Sequence, residues 1–210
     1  DLDGSGRLWA DAIRGAGIVE QPAERRVLRI VEPVRVSEGD AELVALPPLP
    51  NQPERLGILY DLDYAGDRPI PRQFFSFEVE PDLFMDQIAG ARTFLFRDEA
   101  EQFRASGLGK HLNYGDVLVI GDNGQPIDNQ FRYDNEFVRH KVLDLMGDMM
   151  LLGRPIVGRV HARKSGHSLN RRLVGKLAEM AAAQEMVQRI ETGNVFDIRR
   201  IQRVDRKSVV

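Results

Sequence analysis

Four side chains in the stretch FVRHKVLDLMGDMMLLG, residues 137–153, have the types and spacing to do chemistry: His140, Lys141, Asp144 and Asp148. An α-helix turns about 100° per residue, so with His140 at zero, Asp144 falls near 40°, Asp148 near 80° and Lys141 near 100°. Val138, Val142, Leu145, Met146, Met149 and Met150 cover the opposite side. A solvated helix face ordinarily carries long, forgiving side chains. Here the polar groups are mostly short, and Phe137 and Leu151 bracket them. His140 and Asp144, four residues apart, point the same way and can hold one metal ion between them. The plainer alternative is a hydrogen-bonded His–Asp pair at a domain surface. Lys141 and Asp148 on the same side weigh toward the metal.

A second chemical segment follows at residues 164–173, KSGHSLNRRL. It opens a long amphipathic run at 168–190, in which Leu169, Leu173, Leu177, Met180 and Ala181 recur at helical spacing. His167 then sits at or just before a helix N-terminus, where the dipole disfavours the charged imidazolium. A nearby metal ion disfavours it too, and a neighbouring Asp favours it. An imidazole balanced between such influences suits proton transfer near neutral pH. Read without the first stretch, His167 is a loop residue bonding backbone.

The elements that must position these groups follow from local pattern. Asp134 or Asn135 caps the 137–153 helix, Gly153 ends it and Pro155 forbids continuation. From residue 25 the alternation is that of strands, at 27–31, 34–36, 41–46, 56–64 and 74–79, which predicts an antiparallel meander. Residues 81–89 form a helix with Pro81 in its first turn. Residues 94–96, 98–104 and 116–120 read as strand, helix and strand, and 156–162 as a buried strand. A short helix at 7–14 precedes all of this. The expected fold class is α+β, a two-layer sandwich of a mostly antiparallel sheet against helices, with a small βαβ insert. No internal repeat or low-complexity segment is present.

Composition narrows the function. With 210 residues and 42% hydrophobic content there is enough for one sizeable core, or one domain plus part of another. A formal charge of −3 gives no argument for nucleic acid. Without cysteine, any metal must be held by His and carboxylate. No apolar run is long enough to span a bilayer. The expected location is the cytoplasm.

HKVLDLMGD (140–148) followed by KSGHSLNRRL (164–173), with ARTF upstream at 91–94, resembles the UDP-3-O-acyl-N-acetylglucosamine deacetylases of lipid A biosynthesis. The similarity runs from residue 3 to about 177, with the three motifs in that family's order. The resemblance implies Zn2+ as cofactor, with His140 and Asp144 as ligands. It places the third ligand, a histidine, and the general base, a glutamate, in a first domain ahead of residue 1. On that reading the chain is a fragment that binds zinc weakly and does not turn over alone. Residues 1–24 are the end of the first domain, 25–190 the second domain with its insert at about 94–121, and 191–210 a tail or linker.

The same resemblance assigns roles. Thr93 lies beside the acetamide carbonyl and helps bind the oxyanion. His167, held by Asp148, stabilises charge or protonates the leaving amine. Lys141 and Lys164 suit the diphosphate or the developing oxyanion, because an ammonium is a compact partner for either. Tyr64 stacks near the uridine. The insert forms a hydrophobic passage for the acyl chain, with Phe94, Leu95, Phe96, Leu108 and Leu118 as its lining. An ordinary mini-core is the other account of those residues. Where the family usually shows a Gly-Gly-Ser turn, this chain has LGKHLNY at 108–114, so its acyl-length preference is open and His111 is not assigned as a ligand. The implied partner is UDP-3-O-acyl-N-acetylglucosamine, and the complete protein is expected to be a monomer. FDIRRI at 196–201 faintly resembles the opening of hydroxyacyl-carrier-protein dehydratases. Competing readings are a non-catalytic nucleotide-sugar-binding relative of the same fold, a metal phosphoesterase, and a purely structural α+β domain.

Overall fold

The computed structural model describes residues 3–51, 53–107 and 114–191. Leu108, His111 and the tail motif at 196–201 lie outside them. The chain divides into a unit Asp1–Val174, which holds the sheet and every candidate site residue, and a second unit Gly175–Val210. Among the described residues the second unit is the later part of one long helix, α5, His167–Glu191.

In chain order the first unit runs α1 (Arg7–Ala16), β1 (Leu28–Arg29), β2 (Val34–Glu38), β3 (Ala41–Leu46), β4 (Leu56–Leu62), β5 (Gln73–Glu78), α2 (Pro81–Gln87), β6 (Phe94–Phe96), α3 (Arg97–Ala105), β7 (Leu118–Ile120), α4 (Glu136–Met149), β8 (Ile156–Arg163) and the start of α5. The main sheet has the order β2-β3-β8-β4-β5, with β1 parallel to the start of β8. This corrects the expected meander. β2–β3 and β4–β5 are antiparallel hairpins, but β8 lies between β3 and β4, antiparallel to the first and parallel to the second. The α+β class with a mixed, mostly antiparallel sheet against helices stands.

Why β8 takes the centre is visible in its residues. Ile156, Val157 and Gly158 are buried in succession, as in a strand covered on both faces, and the strand pairs with β3 along one edge and β4 along the other. Gly158 has φ 154°, and a Cβ there would lie 2.7 Å from Leu46 O and 2.8 Å from Ile30 Cγ1. Only glycine lets the Leu46 carbonyl and the Ile30 side chain close on the strand here. The sheet then buries one face: Leu43 and Ala45, Ile58, Tyr60 and Leu62, Val160 and Ala162 are all buried, and Leu59 between them is exposed. Helix α4 packs over β4 and β5 and buries Val138, Val142, Leu145 and Met149.

The insert forms as expected. β6 and β7 pair in parallel, Phe94 with Leu118 and Phe96 with Ile120, joined by α3. Ala100, Val117 and Val119 make its core, with Leu95, Tyr114 and Ile127 packed against it. Leu95 therefore serves the mini-core, and Leu118 is fully buried.

Helix α4 is shorter than its apolar pattern predicts. It ends at Met149 and tightens into a 3-10 turn, Met150–Leu152, closed by Gly153 at φ 71°. The 100° projection fails past that point, so Leu151 does not bracket the polar stripe and is 66% exposed. Asn135 is the N-cap residue, but its side chain makes no capping bond and instead accepts from Arg139 Nε at 2.6 Å.

Candidate active site

His140 is 5% exposed on the second turn of α4, and its Nδ1 lies 3.2 Å from the carbonyl oxygen of Ala91. A carbonyl only accepts, so Nδ1 carries the proton and Nε2 faces outward. The strand entry holding Ala91 is itself fastened to α4. Glu136, fully buried, accepts at Oε1 from the Arg92 backbone N–H (3.0 Å) and Arg92 Nε (2.9 Å), and at Oε2 from Arg92 Nη2 (3.2 Å) and the Arg132 N–H (2.7 Å). Arg92 is 4% exposed, so this is a buried ion pair with its polar capacity met on both sides. It delivers the Ala91 carbonyl to His140 and Thr93 to the rim of the site.

One turn on, Asp144 Oδ1 stands 3.3 Å from His140 Nε2 and 3.9 Å from His167 Nε2, and Oδ2 stands 3.3 Å from Lys141 Nζ. Burial pushes the Asp144 carboxyl up. Its neighbours His140, Lys141 and His167 outweigh it and hold the group below its ordinary value. His167 is the first residue of α5, and its Nδ1 lies 2.7 Å from Asp148 Oδ2. The carboxylate accepts, which leaves His167 Nε2 turned toward Asp144.

These groups converge on a cavity of about 240 Å³ lined by Tyr64, Thr93, Phe94, Phe96, Glu99, His140, Lys141, Asp144 and His167. Phe94 stands edge-on to Phe137 (4.8 Å between centroids), Phe96 (6.1 Å) and His140 (6.3 Å), so an aromatic ladder runs from the helix core to the cavity wall. Lys141 Nζ sits 5.8 Å over the Phe94 ring. Tyr64 meets Phe96 edge-on at 5.6 Å, and burial, with Glu99 adding to it, pushes its phenol up.

Asp148 backs His167 without lining the cavity. Lys164 is placed apart from it: its backbone is left-handed (φ 51°), and its ammonium lies 2.5 Å from Asp40 and 4.0 Å from Asp63. Two residues went unread in the sequence. Glu99 reaches the cavity from α3, with no motif to mark it. Asn170, 2% exposed, donates from Nδ2 to Asp148 Oδ2 at 2.8 Å. Its signal was available, since it follows His167 by three residues on one helix face.

Helix α4 thus presents an imidazole nitrogen and a carboxylate oxygen to one cavity, and α5 brings a second imidazole to the same carboxylate. Among the described residues no group of three His, Asp or Glu forms a complete metal site. The family model described as UDP-3-O-acyl N-acetylglycosamine deacetylase matches residues 1–179. The chain belongs to this family.

Its relatives agree. This deacetylase-family chain is 36% identical over 193 residues to the UDP-3-O-acyl-N-acetylglucosamine deacetylase of Acidithiobacillus ferrooxidans, a match covering 90% of the chain and 61% of that protein. It is 34% identical over 187 residues to the enzyme of that name from Citrifermentans bemidjiense (89% and 59%). With that of Neisseria gonorrhoeae it shares 34% over 196 residues (93% and 62%). The chain spans 59% to 62% of the length of these curated relatives.

Proposed function

We propose that the complete protein is a zinc-dependent hydrolase that removes the N-acetyl group from UDP-3-O-acyl-N-acetylglucosamine in lipid A biosynthesis, and that this chain supplies one side of its site. The observation that carries the reading is the meeting of His140 Nε2, Asp144 Oδ1 and His167 Nε2 at one cavity beside Thr93.

The donor set fits zinc. His140 offers Nε2 because Ala91 holds Nδ1–H, and Asp144 offers Oδ1 beside it, two of the N/O ligands such a site needs. Zinc, when bound, polarises the scissile carbonyl and lowers the pKa of water to about 7. With two candidate ligands on this chain, the remaining ligand and the general base are assigned to another part of the complete protein. The chain by itself is then expected to hold zinc weakly and to be inactive.

The chain's own residues divide the rest of the work. Thr93 donates its hydroxyl proton toward the oxyanion. Lys141 adds positive charge at the same wall, where a low-dielectric pocket strengthens it. His167, oriented through Nδ1 by Asp148, carries at Nε2 the proton that the leaving amine takes. Phe94 and Phe96 give the acyl chain an apolar wall, and Tyr64 lies at the same rim for the uridine. Lys164, held by Asp40, needs to leave that partner to reach a diphosphate.

Acetate release from UDP-3-O-acyl-N-acetylglucosamine by the complete protein, with zinc content measured in parallel, tests this. A zinc-loaded protein that binds the nucleotide sugar and releases no acetate would favour the alternative, a non-catalytic nucleotide-sugar-binding relative of the same fold.

A further inference from the structure

One guanidinium fastens the loop between β4 and β5, residues 63–72, to the start of the insert. Arg68 donates from Nη1 to both oxygens of Asp98, at 2.9 and 3.0 Å, and from Nη2 to Glu99 Oε1 at 3.1 Å. The same group lies 4.4 Å from the centroid of Phe96. Glu99 closes the ring, because its other oxygen accepts the Phe96 backbone N–H at 2.9 Å. Two further contacts key the loop to the insert. Tyr64 stands edge-on to Phe96, and Gly124 lies so close to the Pro69 carbonyl that a Cβ there would collide with it.

Tyr64, Phe96 and Glu99 line the cavity, and Arg68 stands behind them. We infer that Arg68 is a positioning residue that sets the shape and polarity of this wall, and so the affinity for the acyl-bearing substrate rather than the rate of the chemistry. The inference rests on the deacetylase reading above. Removal of the guanidinium leaves Asp98 and Glu99 as adjacent carboxylates without a cation between them, Glu99 being turned into a cavity that must admit an apolar chain. It also frees the Phe96 ring on its outer face. The groups assigned to the chemistry are anchored elsewhere: His140 by Ala91, and His167 by Asp148. Lysine cannot replace the fork, since a single ammonium does not span two carboxylates and a ring.

The test uses Arg68→Ala and Arg68→Lys in the complete enzyme, with kcat and KM measured on substrates of several acyl lengths. Amide exchange is followed over residues 94–100, with β8 as the internal reference for folding. Arg68→Ala is expected to raise KM about 10-fold with kcat held within about 2-fold, the signature of lost uniform binding, felt equally in ground state and transition state. It should also flatten the acyl-length preference and speed exchange at 94–100 while β8 stays protected. Arg68→Lys should recover less than half of the KM effect. An unchanged KM, a fall in kcat at constant KM, or full recovery by lysine would overturn the inference. If the wild-type protein itself releases no acetate, the deacetylase reading is what fails, and exchange at 94–100 alone then decides whether Arg68 holds the wall.

Discussion

A single oxygen of Asp148 accepts two hydrogen bonds, from His167 Nδ1 at 2.7 Å and from Asn170 Nδ2 at 2.8 Å. The carboxylate that orients the imidazole is therefore itself held by an amide buried one turn further along α5. His167 is half exposed, and Asp148 is 12% exposed. The exposed ring is thus steered by a more buried partner, and its other nitrogen is kept on the Asp144 side of the cavity.

Asp148→Asn separates orientation from charge. The asparagine keeps the shape but offers an N–H as readily as an oxygen, so His167 loses its reason to keep the proton on Nδ1. Turnover of the complete enzyme is expected to fall roughly 10²–10⁴-fold, the range for lost acid–base help. Zinc content and melting temperature should stay near wild type. A loss confined to KM would show that Asp148 serves binding instead.

Asp144 and His167 touch the same space and are assigned different work. Asp144→Ala removes a proposed metal ligand and is expected to empty the complete protein of zinc on dialysis. His167→Ala should retain zinc and lose roughly 10²–10⁴ in kcat. Metal analysis of the two purified variants decides it, since an equal loss of zinc from both would mean that His167 is also a ligand.

Much of this geometry was legible in residue spacing, because helices impose a fixed projection. His140, Lys141 and Asp144 share a cavity, in keeping with a 100° step, while Asp148, projected between them, backs His167 instead. The projection failed at Leu151, where the backbone leaves the α-helix for a 3-10 turn. Strand order was not legible. β8 reads locally as a buried strand, but its insertion between β3 and β4 depends on pairings across more than a hundred residues and on the space Gly158 leaves open. Glu99 was invisible for a related reason. An acid in the first turn of a short helix is ordinary, and only the Arg68 loop arriving from another part of the sheet turns it into a wall of the site.

The Arg92–Glu136 pair is expected to be the costliest single contact near the site to break. Glu136→Ala leaves a buried guanidinium without its partner, a loss of about 3–5 kcal/mol. Urea unfolding of the chain measures it. The Ala91 carbonyl loses its tether at the same time, so His140 should become more mobile, visible as broadened imidazole resonances. A cost below about 1 kcal/mol, the range for exposed pairs, would contradict the burial argument.

His161 gives the fold a pH dependence of predictable sign. It lies on β8 between Val44 of β3 and Leu59 of β4, on the face of the sheet away from α4, with Arg159 two residues before it on the same strand. Burial, with the charge of Arg159 adding to it, lowers its pKa below the ordinary 6.5. The unfolded chain therefore takes up this proton more readily than the folded one. The stability this contributes is fully present above the unfolded value and is lost as pH falls through the folded one. Replacement by a neutral side chain removes that component and leaves every other titration in place. His161→Gln is expected to lose less melting temperature than wild type between about pH 7.5 and about pH 5. Parallel thermal melts at the two pH values check this, and an equal loss in both proteins would show that the imidazole is hydrated well enough to be protonated in place.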